Sequence, residues 1–132
     1  MPEIRIIHAL DFLETTVEGT LDLEQSRAVL FKVASANAVD KLDLLLDLRL
    51  ADGRPLSYTD MYRLLSVLEE QPESFGGKVA LLDDYDNDEF AKMQFFEASA
   101  TLRGFDVRTF SEYEPAMRWL QSGHTPLQPE AP

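Results

Sequence analysis

Short apolar runs alternate with helical stretches along most of this chain. The runs are Phe12–Val17, Leu42–Leu48, Lys78–Leu82 and Phe105–Phe110. Strands alternating with helices imply right-handed βαβ crossovers and a largely parallel sheet. A further apolar segment, Ile4–His8, is separated from the Phe12 run only by Ala9-Leu10-Asp11. That gap suits an antiparallel hairpin and is too short for a crossover helix. The pattern predicts one α/β domain of order ββαβαβαβα. Its sheet is mixed, mostly parallel and five-stranded, flanked by helices, with the N-terminal strand antiparallel at or near an edge.

Local signals set the boundaries. Gly19 is expected to end the second strand, and Asp22 with Gln25 reads as a capping-box variant. The helix it opens runs to about Ala36, with Leu23, Leu30, Val33 and Ala34 inward. Leu42–Leu48 is almost continuously apolar, as expected of a central strand buried on both faces. Its parallel neighbours should be the Phe12–Val17 and Val79–Leu82 strands. Ser57 and Asp60 form a second capping box, with Leu56 and Met61 at hydrophobic-staple spacing. Met61, Leu64, Leu65 and Leu68 then recur at i, i+3, i+4 and i+7. Gln71-Pro72 closes that helix, and Gly76-Gly77 turns into the next strand. A third helix is expected over Glu89–Leu102, where Phe95 and Phe96 cannot share one seam. Gly104 suits its C-terminal cap. Ser111 with Glu114 reads as a capping box for a final helix anchored by Met117, Trp119 and Leu120.

Composition narrows the function classes. The 132 residues suit one domain, over residues 1–121, with residues 122–132 a Pro-rich flexible tail. There is no cysteine, which excludes disulfides, thiolate metal sites and cysteine nucleophiles. The formal net charge of −12 repels phosphate backbones and argues against nucleic-acid binding. No window has the length of a transmembrane span, and no signal-peptide pattern is visible. Membrane insertion is not expected, and a cytoplasmic location is.

Leu44-Leu45-Leu46-Asp47-Leu48-Arg49 followed by a capped helix, Gly77-Lys78-Val79-Ala80-Leu81-Leu82, Phe96-Glu97-Ala98, Arg103–Phe110 and Glu114–Leu120 together carry a resemblance. Over roughly residues 3 to 121 the chain resembles the SpoIIAA-like branch of the STAS superfamily, also grouped with CRAL-TRIO lipid-transfer-like folds. The resemblance implies a regulatory, non-enzymatic domain with protein partners. In the anti-sigma antagonists of that superfamily a phosphorylatable Ser or Thr opens the helix after the central strand. Here Ser57 takes that place, the Asp-Ser-Ser-Gly pattern is absent, and the loop Ala51–Pro55 looks longer.

Candidate chemistry is sparse. Open α/β sheets bind ligands beyond the carboxyl ends of their strands. That rim offers Asp47, Arg49, Asp83, Asp84 and Asp86. Asp84, Asp86 and Asp88 have the spacing that opens an EF-hand loop, but Glu89 stands where Gly is needed and Phe95 where the bidentate Glu belongs. No metal or cofactor is assigned. Ser57 is both a helix cap and a candidate phosphosite. Met61, Leu65, Met93 and Phe96 are candidates to line an apolar pocket between two helices. The leading expectation is a non-enzymatic regulatory or protein-interaction domain with a filled core and a protein partner, a homodimer included. The alternative is a carrier of a small apolar or lipid ligand, which requires an internal cavity. A metal-dependent phosphoryl enzyme ranks last, lacking a general-base histidine, a nucleophile motif and a phosphate loop.

Overall fold

The computed structural model describes residues 3–9, 11–53, 56–84 and 87–122. In chain order the elements are β1 (Glu3–His8), β2 (Phe12–Leu21), α1 (Leu23–Ala36), β3 (Asp43–Gly53), α2 (Tyr58–Glu70), β4 (Lys78–Leu82), α3 (Asn87–Leu102), β5 (Asp106–Phe110) and α4 (Tyr113–Gln121). They form the ββαβαβαβα order that the apolar rhythm predicts. The sheet is five-stranded with spatial order β1-β2-β3-β4-β5. β1 pairs antiparallel with β2 at the edge, and the remaining neighbours are parallel.

Side chains alternate across each strand, so the sheet divides the core into two layers. On one face Leu13, Val17, Leu44, Leu46, Val79, Leu81 and Val107 pack against α1, α2 and α3. On the other, Phe12, Leu45, Ala80 and Leu82 pack against Ala116 and Leu120 of α4. Three helices therefore cover one face, and α4 covers the β4–β5 part of the other. The helix stripes explain the placement. α1 buries Val29, Val33 and Ala34, with Leu23 and Leu30 partly buried beside them. In α3, Phe96 is 6% exposed and Phe95 is 38% exposed, which resolves the conflict over a shared seam.

Several boundaries differ from the sequence reading. β2 does not stop at Gly19 but passes through it, at φ +105, to Leu21. β3 continues beyond Leu48 to Gly53, so Ala51-Asp52-Gly53 is strand and not loop. The two extensions hold each other, pairing Gly19 with Ala51, Thr20 with Asp52 and Leu21 with Gly53. Ladder hydrogen bonds thus override a polar sequence with little strand propensity. Between Thr16 and Glu18 of β2 the register advances from Asp47 to Leu50 of β3, which places a bulge on β3 at Leu48-Arg49. α3 starts at Asn87, before Glu89. Ser111 does not cap α4; Glu112 holds the cap position and makes no side-chain capping bond. Residues 123–132 of the expected tail, and Arg54 and Pro55, lie outside the described residues.

Two devices lock the amino end of the sheet. Asn37, fully buried, donates from Nδ2 to the Leu42 and Ser74 carbonyls at 2.9 Å each and accepts the Leu42 N–H at 2.8 Å. The Ser74 hydroxyl adds a 2.8 Å bond to the Ala34 carbonyl. At the far end of α3, Gly104 at φ +91 and the bonds Gly104 N–H to Thr101 O and Phe105 N–H to Ala100 O make a Schellman cap. These ties leave the carboxyl ends of β3 and β4 as the open side of the fold.

Candidate functional site

At those carboxyl ends the chain builds three features. The first is a cavity of about 470 Å³ between the sheet and α1, α2 and α3. β3 and β4 present Leu46, Leu48, Val79 and Leu81 to it, and α2 and α3 present Met61, Leu64, Met93 and Phe96. Arg49, Asp52, Asp83, Asp84 and Lys92 also line it. Of the expected pocket residues, Met61, Met93 and Phe96 are there. Leu65 is not: it is fully buried in the main core and contributes no wall. One helical position away, Leu64 does. At this seam the buried core residues thus border a pocket that is open to solvent.

The second feature lies on the opposite sheet face. The pleat sends Asp47 away from Leu46 and Leu48, and its side chain is only 10% exposed. It accepts from Arg49 Nε at 3.0 Å, Arg49 Nη2 at 2.9 Å and the Arg49 backbone N–H at 3.1 Å. The bulge permits this fork, because it brings the Arg49 backbone and side chain to the same carboxylate. Burial pushes the Asp47 carboxyl up. The hydrogen bonds from Arg49 and its charge outweigh that and hold it below the ordinary carboxylate value. The same hydrogen bond raises the Arg49 guanidinium. Arg49 also stands 5.9 Å from the Tyr113 ring centre. Burial, and then the neighbouring Glu14 carboxylate that accepts from the hydroxyl, push the Tyr113 phenol up. Asp47 and Arg49 thus act on each other, pinning the start of α4 to the sheet, and Asp47 presents no free oxygen at the rim.

The third feature is the start of α2. Ser57 Oγ accepts the Asp60 N–H at 3.0 Å, and Asp60 Oδ2 accepts the Ser57 N–H at 3.1 Å. Both bonds of the predicted capping box are present, and the serine is exposed. Leu56 and Met61, the staple pair, both line the cavity. From Ser57 the outer face of α2 continues into an aromatic seam against α3. Tyr58 and Tyr62 are 49% and 56% exposed. Tyr58 meets Phe95 edge-on at 5.1 Å, and Arg103 sits 5.0 Å over the Tyr62 ring while pairing with Glu69 at 3.3 Å. The sequence reading missed this seam. Its signal was available: Tyr58 and Tyr62 are i and i+4 along one flank of the Met61-Leu64-Leu65-Leu68 stripe.

The acidic loop is only partly described. Asp83 and Asp84 line the cavity, with the Asp84 N–H donating to Asp83 Oδ1 at 2.8 Å. Asp86 lies outside the described residues, as do the side chains of Asp88 and Glu89. Among the described residues no group of three or more acidic or histidine ligands converges on a metal position. No helix among them is long and apolar enough to cross a membrane.

No protein-family profile matches the sequence, and no curated protein matches it. Solved structures do. An uncharacterised DUF3478-family protein with a SpoIIAA-like fold from Shewanella loihica PV-4 is 22% identical, with TM-score 0.57, covering 90% of this chain and 93% of its own. An anti-sigma factor antagonist from Mycobacterium paratuberculosis is 13% identical, with TM-score 0.59 and coverage of 92% and 96%. The anti-sigma factor antagonist SpoIIAA in its unphosphorylated form is 12% identical, with TM-score 0.56 and coverage of 91% and 99%. The fold of this chain is the SpoIIAA-like, STAS-type α/β fold that its sequence resembles.

Proposed function

We propose that this chain is a non-enzymatic regulatory domain that docks a protein partner through the start of α2 and the α2–α3 seam. The exposed aromatic seam carries the reading: Tyr58, Tyr62 and Phe95 with Arg103, contiguous with Ser57. Tyrosine and arginine are the residues that most often anchor interfaces. The likeness of fold to two anti-sigma factor antagonists supports a regulatory role of this kind. Ser57 is the natural switch. A phosphate there would add nearly two negative charges beside Asp60 and replace the hydroxyl that accepts the Asp60 N–H. The test is affinity co-purification from expressing cells with quantitative mass spectrometry, comparing the wild type with a Tyr58→Ala/Phe95→Ala variant of preserved fold. A partner retained by the wild type and lost by the variant is expected. Identical partner profiles would sink the proposal.

A second reading, a carrier of a small apolar ligand, is favoured by the cavity of about 470 Å³. Pockets of this size hold small molecules. Native mass spectrometry tests it. A mass excess lost under denaturing conditions supports the carrier, and the same spectrum reports whether the docking partner is a second copy of the chain.

A further inference from the structure

We propose that the outer edge of β1 pairs with the same edge of a second copy of the chain, joining two sheets into one around a two-fold axis, independently of the docking and carrier readings. β1 and β5 are the edges of the sheet, and they are not alike. The Thr109 N–H faces away from β4 and donates to Glu97 Oε1 at 2.9 Å, and the Thr109 hydroxyl donates to the same oxygen at 3.0 Å. α3 thus takes a ladder group of β5 for itself, which blunts that edge. Among the described residues β1 has no such cover. Its register against β2 is unbroken from Glu3↔Glu18 to His8↔Leu13. The Ala9 N–H donates to the Phe12 carbonyl at 2.9 Å. Bonded and non-bonded pairs alternate in an antiparallel ladder. Counted back from Ala9, Ile7, Arg5 and Glu3 turn their backbone groups to β2. Ile4, Ile6 and His8 turn theirs outward.

An antiparallel neighbour must set outward residues against outward residues. One self-register uses all three: Ile6 faces Ile6 of the second copy, and Ile4 faces His8. Each such pair exchanges both backbone bonds. Arg5 then lies opposite Ile7 of the second copy in a non-bonded pair, where side chains approach most closely. Ile7 is 52% exposed, on the sheet face that α4 covers only at β4 and β5. The Arg5 stem covers it, while the guanidinium stays beside Glu18, 4.0 Å away. Slipping the register two residues toward the amino end sets Arg5 against Arg5, and directly opposed like charges destabilise. Slipping it four leaves Ile4 as the only bonded pair within β1. Side-chain charge and backbone pairing therefore select the same register. Because one edge serves both copies and the β5 edge is blunted, the assembly closes at a dimer.

Sedimentation velocity of the full chain, up to about 1 mM, the weak end of specific association, reads the assembly. The wild type is expected to pass from monomer to dimer as concentration rises. Ile7→Lys sets a lysine against Arg5 of the second copy, twice by symmetry, and should weaken the dimer about ten-fold or more. Ile7→Glu, at the same exposed position, should strengthen it. Arg5→Glu added to Ile7→Lys should restore it. Amide exchange followed by NMR supplies a second readout: the Ile4, Ile6 and His8 amides should exchange slowly in the dimer and fast in Ile7→Lys. A wild type that stays monomeric with those amides fast overturns the second copy and leaves the edge to a foreign strand. Slow exchange there in a monomer overturns it in favour of a segment of the same chain. A dimer indifferent to both Ile7 variants places the interface elsewhere and overturns the proposal. Species larger than the dimer overturn the closure at β5.

Discussion

Replacing Asp47 by Asn tests whether the Arg49 fork is a stabilising charge pair. The wild-type carboxylate accepts three hydrogen bonds from one residue, at 2.9 to 3.1 Å. Bonds to charged groups contribute about 1.5–3 kcal/mol each way of counting the pair. Water screens this one, because the Arg49 side chain is 37% exposed. Asn also keeps one acceptor. The expected loss at pH 7 is therefore about 1–2 kcal/mol. At a urea slope of about 2 kcal/mol/M that lowers the unfolding midpoint by about 0.5–1 M. The acid dependence is the sharper check. The folded carboxyl lies below its ordinary value, so its contribution is fully present above the unfolded value of about 4. It is lost as pH falls through the lower folded value. Urea midpoints of wild type and variant should differ fully at pH 7 and at pH 5, then converge as pH falls below about 4. A difference that stays constant across that range would refute the reasoning, since a neutral packing defect has no such window.

Other positions give independent tests. Asn37→Asp keeps the acceptor for Leu42 N–H but loses both donors and sets a carboxylate against two carbonyls. It should cost about 3 kcal/mol or more at pH 7. Because that carboxyl would be raised in the fold, the cost should shrink toward pH 4, and equal urea midpoint shifts at both pH values would count against it. Ser57→Ala removes the α2 cap and should cost about 1 kcal/mol by thermal unfolding; no loss would mean the box contributes nothing. In Gly77→Ala the new methyl would fall on Asp43 Oδ1, the acceptor of the Lys78 N–H at 2.8 Å, and the added Cβ has no room. A loss of about 1–3 kcal/mol is expected, and a neutral result would show that the β3–β4 entry is looser than drawn.

The order of elements was legible because each strand from β2 to β5 carries an apolar run and the helices α1, α2 and α4 a period, and the parallel pairing of successive strands follows from the crossovers. Asp22 and Ser57 were legible as caps because a capping box is a local event, settled within four residues. Ser111 misled because the same letters appear one residue before the true cap position, Glu112. The ends of β2 and β3 were not legible. Thr20, Asp52 and Gly53 become strand only through each other, and no local signal records a pairing across a crossover. The site divided in the same way. Met61, Met93 and Phe96 were readable from helical period, but the choice of Leu64 over Leu65 for the cavity wall depends on the rotation of α2 against the sheet. Asp47 and Arg49 were readable as near neighbours, but not as lying inside a strand that runs on to Gly53. The bulge that folds Arg49 back onto Asp47 was not, nor were Glu14 and Tyr113 beside it.

Hydrogen–deuterium exchange on the complex with a co-purified partner tests the docking claim most directly. Two surfaces compete: the α2–α3 seam, and the β1–β2 part of the sheet that α4 leaves uncovered. The account predicts that partner binding slows exchange in peptides covering Ser57–Tyr62 and Phe95–Arg103 and leaves Glu3–Glu18 unchanged. Protection confined to Glu3–Glu18, with the seam exchanging as in the free protein, would contradict it.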